Sequence, residues 1–223
     1  MTEPAGAGVP RRTITVQGNG VVSAEPDRVV LRFGIRAFDP AYEAVMEKLN
    51  RRVETLRQDL DAVGVERTRL KTTNFNVHTK SKWEEDQGEE VFLGYVAEHD
   101  LRLTLPIDQE LLNRAFARVA ASAGEPTVSI SFDVADRAEL RRRVLRAAVE
   151  DACRSAEIMA DAADVDLGEI IRIEYRVLEV QVTSRSLAFD MEAAPSVPAP
   201  DIIPSALHAE DRVNVVWEIR SDL

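Results

Sequence analysis

Cysteine is nearly missing from this chain, with Cys153 alone among 223 residues. That excludes an intramolecular disulfide framework and any cysteine-rich metal site. Histidine is as thin, limited to His78, His99 and His208, which leaves few bases for a hydrolase or ligands for a metal. There is no phosphate-binding P-loop, no GxSxG elbow, no HExxH and no DxDxDG loop. No apolar run approaches the roughly 18 residues of a membrane span. Positive charge is the minority sign: 28 Lys and Arg face 39 Asp and Glu, for a net charge of −11. That balance opposes approach to nucleic acid or anionic lipid and favours basic partners. The opening "MTEPAGAGVPRR" has an early acid, two prolines and no apolar core, so it does not read as a secretory signal. The expectation is a soluble protein, cytoplasmic as the sequence stands and periplasmic or secreted if a signal lies upstream, with residues 1–12 disordered.

What is present is a 45% hydrophobic chain, long enough to bury a sizeable core. "TITVQGNGVVSAEPDRVVLRFGIRA" reads as two strands about the turn "AEPD", an opening hairpin. Val29, Leu31, Phe33, Ile35 and Ala37 alternate with Arg28, Arg32, Gly34 and Arg36, the period of a strand with one buried face. Gly18 and Gly20 point to a bulge or a close backbone approach. A phosphate cradle is excluded there, because "GNG" lies inside the hairpin rather than at a helix N-terminus. Asp39 and Pro40 read as the cap and first residue of a helix, with Tyr42, Val45, Met46, Leu49, Val53, Leu56, Leu60 and Val63 at helical spacing until Gly64.

A strand over Leu70–Thr79, the polar loop "KSKWEEDQGEE" and a long strand bearing Val91, Leu93, Tyr95, Ala97, Leu101, Leu103 and Leu105 on one face form a second hairpin with a charged tip. Asp108 caps a helix that Gly124 ends, and Thr127–Val134 is a strand. From Val29 to Val134 the order is strand, helix, strand, strand, helix, strand, the split βαβ or ferredoxin-like order. Asp136 and Glu139 open the longest helix as a capping box, to about Ala163, with alanines that permit close approach to a sheet. Ile170–Thr183 reads as a strand with a register change, and Ser184–Leu207, punctuated by Pro195, Pro198, Pro200 and Pro204, as a long loop or mobile arm. Val213–Ile219 closes the chain. The fold class is α+β: a ferredoxin-like βαββαβ unit over about 27–134, beside a small two-layer α/β unit built from 13–26 with 135–219, the Pro-rich loop included.

These stretches resemble the SIMPL domain family, formerly a domain of unknown function. "ITVQGNGVVSAEPDRVVLRFGI" is similar to the family's opening signature: a Thr-Val-x-Gly-x-Gly strand, a Pro-Asp turn and a Phe-Gly strand. The likeness continues through "AVGVERTRLKTTNFNV", "GYVAEHDLRLTL", "GEPTVSISFDVAD" and "AAVEDACRSAEIMADAADVDLGEI". It covers Thr13 to Ile219 and departs near Pro204, where "PSALHAEDRV" replaces an expected Pro-Gly pair. The family includes bacterial envelope proteins, among them an immunogenic protein forming a ring-like homo-oligomer and one linked to oxidative-stress defence, and an animal adaptor that binds a Pelle-like kinase. The resemblance therefore implies a non-enzymatic module that assembles or binds partners, with a link to stress response, and it supplies no catalytic motif to carry over.

The residues themselves add few candidates. With the hairpin tip near Glu85, His78 and His99 fall about seven residues apart along the sheet, roughly 23 Å, too far to share one site. His99 interrupts an apolar strand face, as a pH-sensitive or ligand-binding group or as a packed histidine. Cys153, in the alanine-rich helix, is either a small packed residue or a redox-sensing thiol, and Glu150 and Asp151 beside it disfavour the thiolate. Arg137, Arg141, Arg142, Arg143 and Arg146 crowd one helix start, where pairing of Glu139 with Arg143 makes a solvated ionic face rather than a nucleic-acid patch. Trp83, Phe92, Phe189 and Met191 lie on or near the long loop excursions and are candidate interface anchors. No cofactor or metal is expected. The leading expectation is a self-associating homo-oligomeric scaffold or interaction module. Alternatives are a redox sensor through Cys153 or a small-ligand binder between the two α/β units.

Overall fold

A computed structural model describes residues 12–85, 88–175 and 204–220, and the backbone of 187–189. The expectations for residues 1–11, for the strand beyond Tyr175 and for Met191 lie outside the described residues. The element order is β1 (Thr13–Ala24), β2 (Arg28–Asp39), α1 (Tyr42–Asp61), β3 (Lys71–Glu84), β4 (Glu89–Pro106), α2 (Gln109–Ala120), β5 (Thr127–Asp133), α3 (Arg137–Ala162), β6 (Asp166–Glu174), β7 (Leu187–Phe189) and β8 (Leu207–Arg220). Helices and antiparallel sheets together make the fold α+β. The chain divides into two compact units, one over 26–135 and 184–205, the other over 1–25, 136–183 and 206–223.

The first unit is an antiparallel sheet in the order β3-β4-β2-β5-β7. Its core follows from the period of two in β2 and β4. Val29, Leu31, Phe33, Ile35 and Ala37 meet Ala97, Leu101, Leu103 and Leu105 beneath Val45, Leu49, Val53, Leu56 and Leu60 of α1 and Leu112, Ala115 and Val119 of α2. Asp108 caps α2 as its position implies, accepting from the Leu111 backbone N–H at 3.0 Å. Helix α1 begins later than expected. Its cap position is Ala41, which has no side-chain cap; Asp39 instead accepts from the Ala41 backbone N–H at 2.9 Å and pairs with Lys48. Tyr42, read as part of the buried stripe, stands 52% exposed at the helix start.

One ionic link ties α1 to α2. Arg118 Nε donates to Asp59 Oδ1 at 2.9 Å, Asp59 is 8% exposed, and its Oδ2 has no hydrogen-bond partner. Removing the cation leaves a buried carboxylate uncompensated. Arg118→Ala should therefore cost about 2 kcal/mol, since stranding a buried polar group costs about 1–3. Denaturant unfolding checks this, and a change under 0.5 kcal/mol would contradict it.

The second unit is a three-stranded sheet, β1-β8-β6, with α3 packed on β1 and β8. Strand β1 does not pair with β2, so the expected opening hairpin is absent. It pairs with β8 in an unbroken register from Thr13↔Glu218 to Ala24↔Leu207. No bulge occurs at "GNG"; the close-approach reading is the one realised. An ideal Cβ on Gly18 would lie 2.0 Å from the Ala148 carbonyl oxygen, and one on Gly20 2.0 Å from that of Val144. The helix backbone rests directly on the strand. Alanines 148, 152 and 156 are fully buried there with Val16, Val213, Val215 and Trp217. Asp136 caps α3 through the Glu139 backbone N–H at 2.7 Å. Glu139 pairs with Arg142 at 2.6 Å rather than with Arg143, whose guanidinium reaches the Ser23 carbonyl, while Arg141 donates to Tyr175. The arginine run is in good part used inside its own unit.

Strand β6 pairs with β8 through register shifts between Leu167 and Ile170 and again before Arg172; the register change expected near Val177 and Leu178 lies outside the described residues. Strand β7 corrects the reading of the Pro-rich segment. Leu187–Phe189 pairs with Ile130–Val128 of β5, so this piece of the supposed arm completes a sheet of the first unit instead of joining the second.

Candidate functional site

Strand β3 is the feature of the first unit least absorbed by packing. It forms one edge of the sheet, hydrogen-bonded to β4 on one side and, among the described residues, to nothing on the other. Its fourteen residues include no buried one. An edge that long presents a row of free backbone donors and acceptors, which proteins normally blunt or cover.

The pairing of β3 with β4 decides which side chains share a face. The ladder closes at Glu84↔Glu89 and shifts once near Gly94, where Lys80 pairs with Gly94 but Ser81 with Phe92, leaving Leu93 as the extra residue. Gly94 has φ +147°, and a Cβ there would meet the Asp39 carbonyl at 2.5 Å, so the shift needs glycine. The consequence is that Phe92, not Leu93, shares the face of Tyr95: their ring centroids are 5.2 Å apart, edge to face. Tyr42 meets Tyr95 from the other side at 5.6 Å. Trp83 pairs with Glu90 and is the diagonal neighbour of Phe92, within reach of an aromatic side chain. Trp83 is 61% exposed and Phe92 50%. Further along the same face, Phe75 is half exposed and stacks edge-on against His99. The exposed aromatic strip from Phe75 to Trp83 spans eight residues of strand, about 26 Å.

Trp83 and Phe92 are thus diagonal neighbours on one face of the hairpin. Phe189 is not with them, because β7 lies at the opposite edge of the sheet, its backbone paired with Val128. The residues that sequence reasoning missed are Tyr42 and Phe75. Phe75 alternates with polar residues on β3 and so had a strand signal, but nothing local says that its strand is an edge with no helix over that end.

His99 lies on this helix-side face, bonded through Nε2 to Thr72 Oγ1 at 2.8 Å. The seven-residue separation from His78 is corrected, since His78 pairs with Val96 and His99 with Phe75, an offset of three residues. An odd offset puts the two rings on opposite faces, so they still share no site. Burial first and the charge of Arg57 second hold the His99 imidazole below the ordinary histidine pKa, with Asp100 acting the other way. The unfolded chain takes up this proton near pH 6.5, where the folded chain resists it. The resulting stability is complete above that pH and is lost as pH falls through it toward the lower folded value. His99→Gln should therefore lose less melting temperature than the parent between pH 7.5 and 5.5. Equal losses would remove His99 from the acid response.

Cys153 is half-buried on α3 and packs against the alanine and valine core of the second unit, the place of a small apolar residue. Among the described residues no group of three His, Cys, Asp or Glu side chains is placed to hold a metal ion. No described helix is long and apolar enough to cross a membrane. The second unit has its own exposed apolar edge, with Ile170, Ile171 and Ile173 on β6 each more than 40% exposed.

Comparison with known proteins places these features. The SIMPL family model, described as a protein of unknown function (DUF541), matches residues 14–217. Uncharacterized protein YggE of Edwardsiella ictaluri (strain 93-146) is 23% identical over 210 residues, which cover 92% of this chain and 86% of that protein. YggE of Escherichia coli (strain K12) is 21% identical over 206 residues, covering 92% and 82%. The family match runs from β1 into β8 and so takes in both units, from the glycine strand to the strand it pairs with: the chain belongs to the SIMPL (DUF541) family.

Proposed function

We propose that this protein is a non-catalytic, self-associating module that joins a second copy of itself through the outer edge of β3 and the aromatic tip of the β3–β4 hairpin. The observation that carries the reading is a fourteen-residue edge strand bearing Trp83 at 61% and Phe92 at 50% exposure. Aromatic side chains at that exposure favour burial by a partner, because each removes a large apolar area from water. A second copy is favoured over an unrelated partner by charge. Lys80 and Lys82 lie on the same edge as Glu84 and Glu85, so two such edges meeting about a two-fold axis set the lysines of one copy near the acids of the other. The sheet edge then gains backbone hydrogen bonds along its length.

Native mass by light scattering across a dilution series tests this. A multiple of the chain mass that dissociates on dilution supports the reading. A monomer that persists at high concentration sinks it and redirects attention to a different partner for the same edge.

A further inference from the structure

The sheet of the first unit has a second face, away from α1 and α2, and its composition opposes the charge of the whole chain. In one cross-strand row, Arg102 of β4 stands directly opposite Arg32 of β2 on one side and Lys71 of β3 on the other. Like charges directly opposite one another destabilise a sheet, and a chain with eleven more acids than bases had carboxylates to spare for this row. They were not used: among the described residues Arg32, Lys71 and Arg69 form no ion pair. Arg102 has one long contact, Nη2 to Asp133 Oδ2 at 3.9 Å, and its Nε is buried with no hydrogen-bond partner. Beside the row is a hollow of about 390 Å³ lined by Arg69, Lys71, Thr73, Arg102 and Thr104. It adjoins another of about 420 Å³ that shares Arg69 and Thr104 and includes Asp27 and Arg28.

A repulsive row, an orphaned guanidinium N–H and a concavity large enough for a small molecule occur at one place. We propose that this is a binding site for a small anion carrying two or more phosphoryl groups, held in the hollow by Lys71, Arg102 and Arg69 and extending along the cross-strand row to Arg32. Three adjacent strands set the row's three cations across about 10 Å, two strand spacings, which suits an extended chain of phosphoryl groups better than one compact oxyanion. Arginine supplies the paired N–H donors that phosphoryl oxygens accept, and Thr73 and Thr104 add hydroxyls. Size separates this ligand from nucleic acid. At physiological salt the field of distant acids is screened beyond about 8 Å, so a small anion feels the local cations, whereas a long polyanion extends over the acidic remainder of the surface. The row lies on the face opposite the aromatic strip, and of its three cations only Lys71 belongs to the edge strand β3.

Titration calorimetry with inorganic tripolyphosphate at low salt, with sulfate as the simple-anion control, tests the site. Tripolyphosphate is expected to bind at least tenfold tighter than sulfate and to weaken as sodium chloride is added. Arg32→Gln with Lys71→Gln should weaken it at least tenfold while leaving the melting temperature of the free protein equal or raised, because a like-charge contact is removed. Arg36→Gln, whose parent guanidinium already pairs with Glu98 at 3.2 Å, should bind as the parent does. Arg69→Gln alone gives a second reading should the double variant fold poorly. No binding at low salt, affinity no better than for sulfate, or affinity unchanged in the Arg32, Lys71 and Arg69 variants would each overturn the proposal.

Discussion

Gly18→Val and Gly20→Val are each expected to destabilise the protein by about 3 kcal/mol or more, at or beyond the upper end of ordinary overpacking. The reason is what a side chain there would strike. A Cβ on Gly18 would sit 2.0 Å from the Ala148 carbonyl oxygen and 2.6 Å from the Ala152 backbone nitrogen; on Gly20 the first obstacle is the Val144 carbonyl at 2.0 Å. These are backbone atoms of α3, and no rotamer change moves them aside. The helix must lift away, and with it goes the packing of Ala148, Ala152 and Ala156 against Val213, Val215 and Trp217. Against a total stability of about 5–15 kcal/mol, such a loss is a large fraction. Even Gly→Ala should be costly here, since the Cβ itself is the clash. Asn19, exposed between the two glycines, offers its backbone N–H to Asp151 and keeps it when mutated, so Asn19→Ala should stay within about 0.5 kcal/mol of the parent. Denaturant midpoints measure all of these. A Gly18→Ala protein as stable as the parent would show that the helix does not rest on this strand.

The Trp83→Glu, Phe92→Glu double variant is expected to abolish self-association at micromolar concentration while leaving the melting temperature of the chain within a few degrees. Both rings are at least half exposed, so their removal takes little from the core. At a seam, by contrast, they would be buried, and acids in their place would bring desolvated like charges from two copies together. Light scattering and thermal unfolding on the same samples separate these effects. A drop in mass with intact folding supports the β3 edge. Unchanged mass would move the seam elsewhere, and Ile171→Glu on the exposed edge of β6 is the informative comparator.

The legibility of the molecule varied with the range of the interaction. The period of β2, the capping acids Asp108 and Asp136 and the alanine spacing of α3 report local geometry, and each stands where its pattern places it. The register of the β3–β4 hairpin was off, because the ladder closes at Glu84↔Glu89 rather than near Glu85, and Gly94 then inserts a shift. Two changes followed: Phe92 replaced Leu93 on the helix-side face, and His78 came closer to His99 while staying on the opposite face. Tyr42 read as core because helical spacing counts residues without knowing where the sheet beneath them ends. Trp83 and Phe92 were recognisable as candidates, since aromatics in a charged hairpin loop have few local partners. The cationic row was invisible, as Arg32, Lys71 and Arg102 are far apart in the chain and meet only through strand pairing.

Sequence alone determined the strands and helices, the α+β class, the family and the poverty of catalytic groups, all of which follow from residue type and short-range period. Tertiary structure alone decided that β1 leaves its neighbour β2 and pairs with β8 nearly two hundred residues away, that "GNG" is a seat for a helix, and that Leu187–Phe189 borders β5. The physical reason is that alternation states which face of a strand is buried, while the edges hydrogen-bond through backbone groups that every residue carries alike. Which edge finds which is settled by the packing of the whole chain.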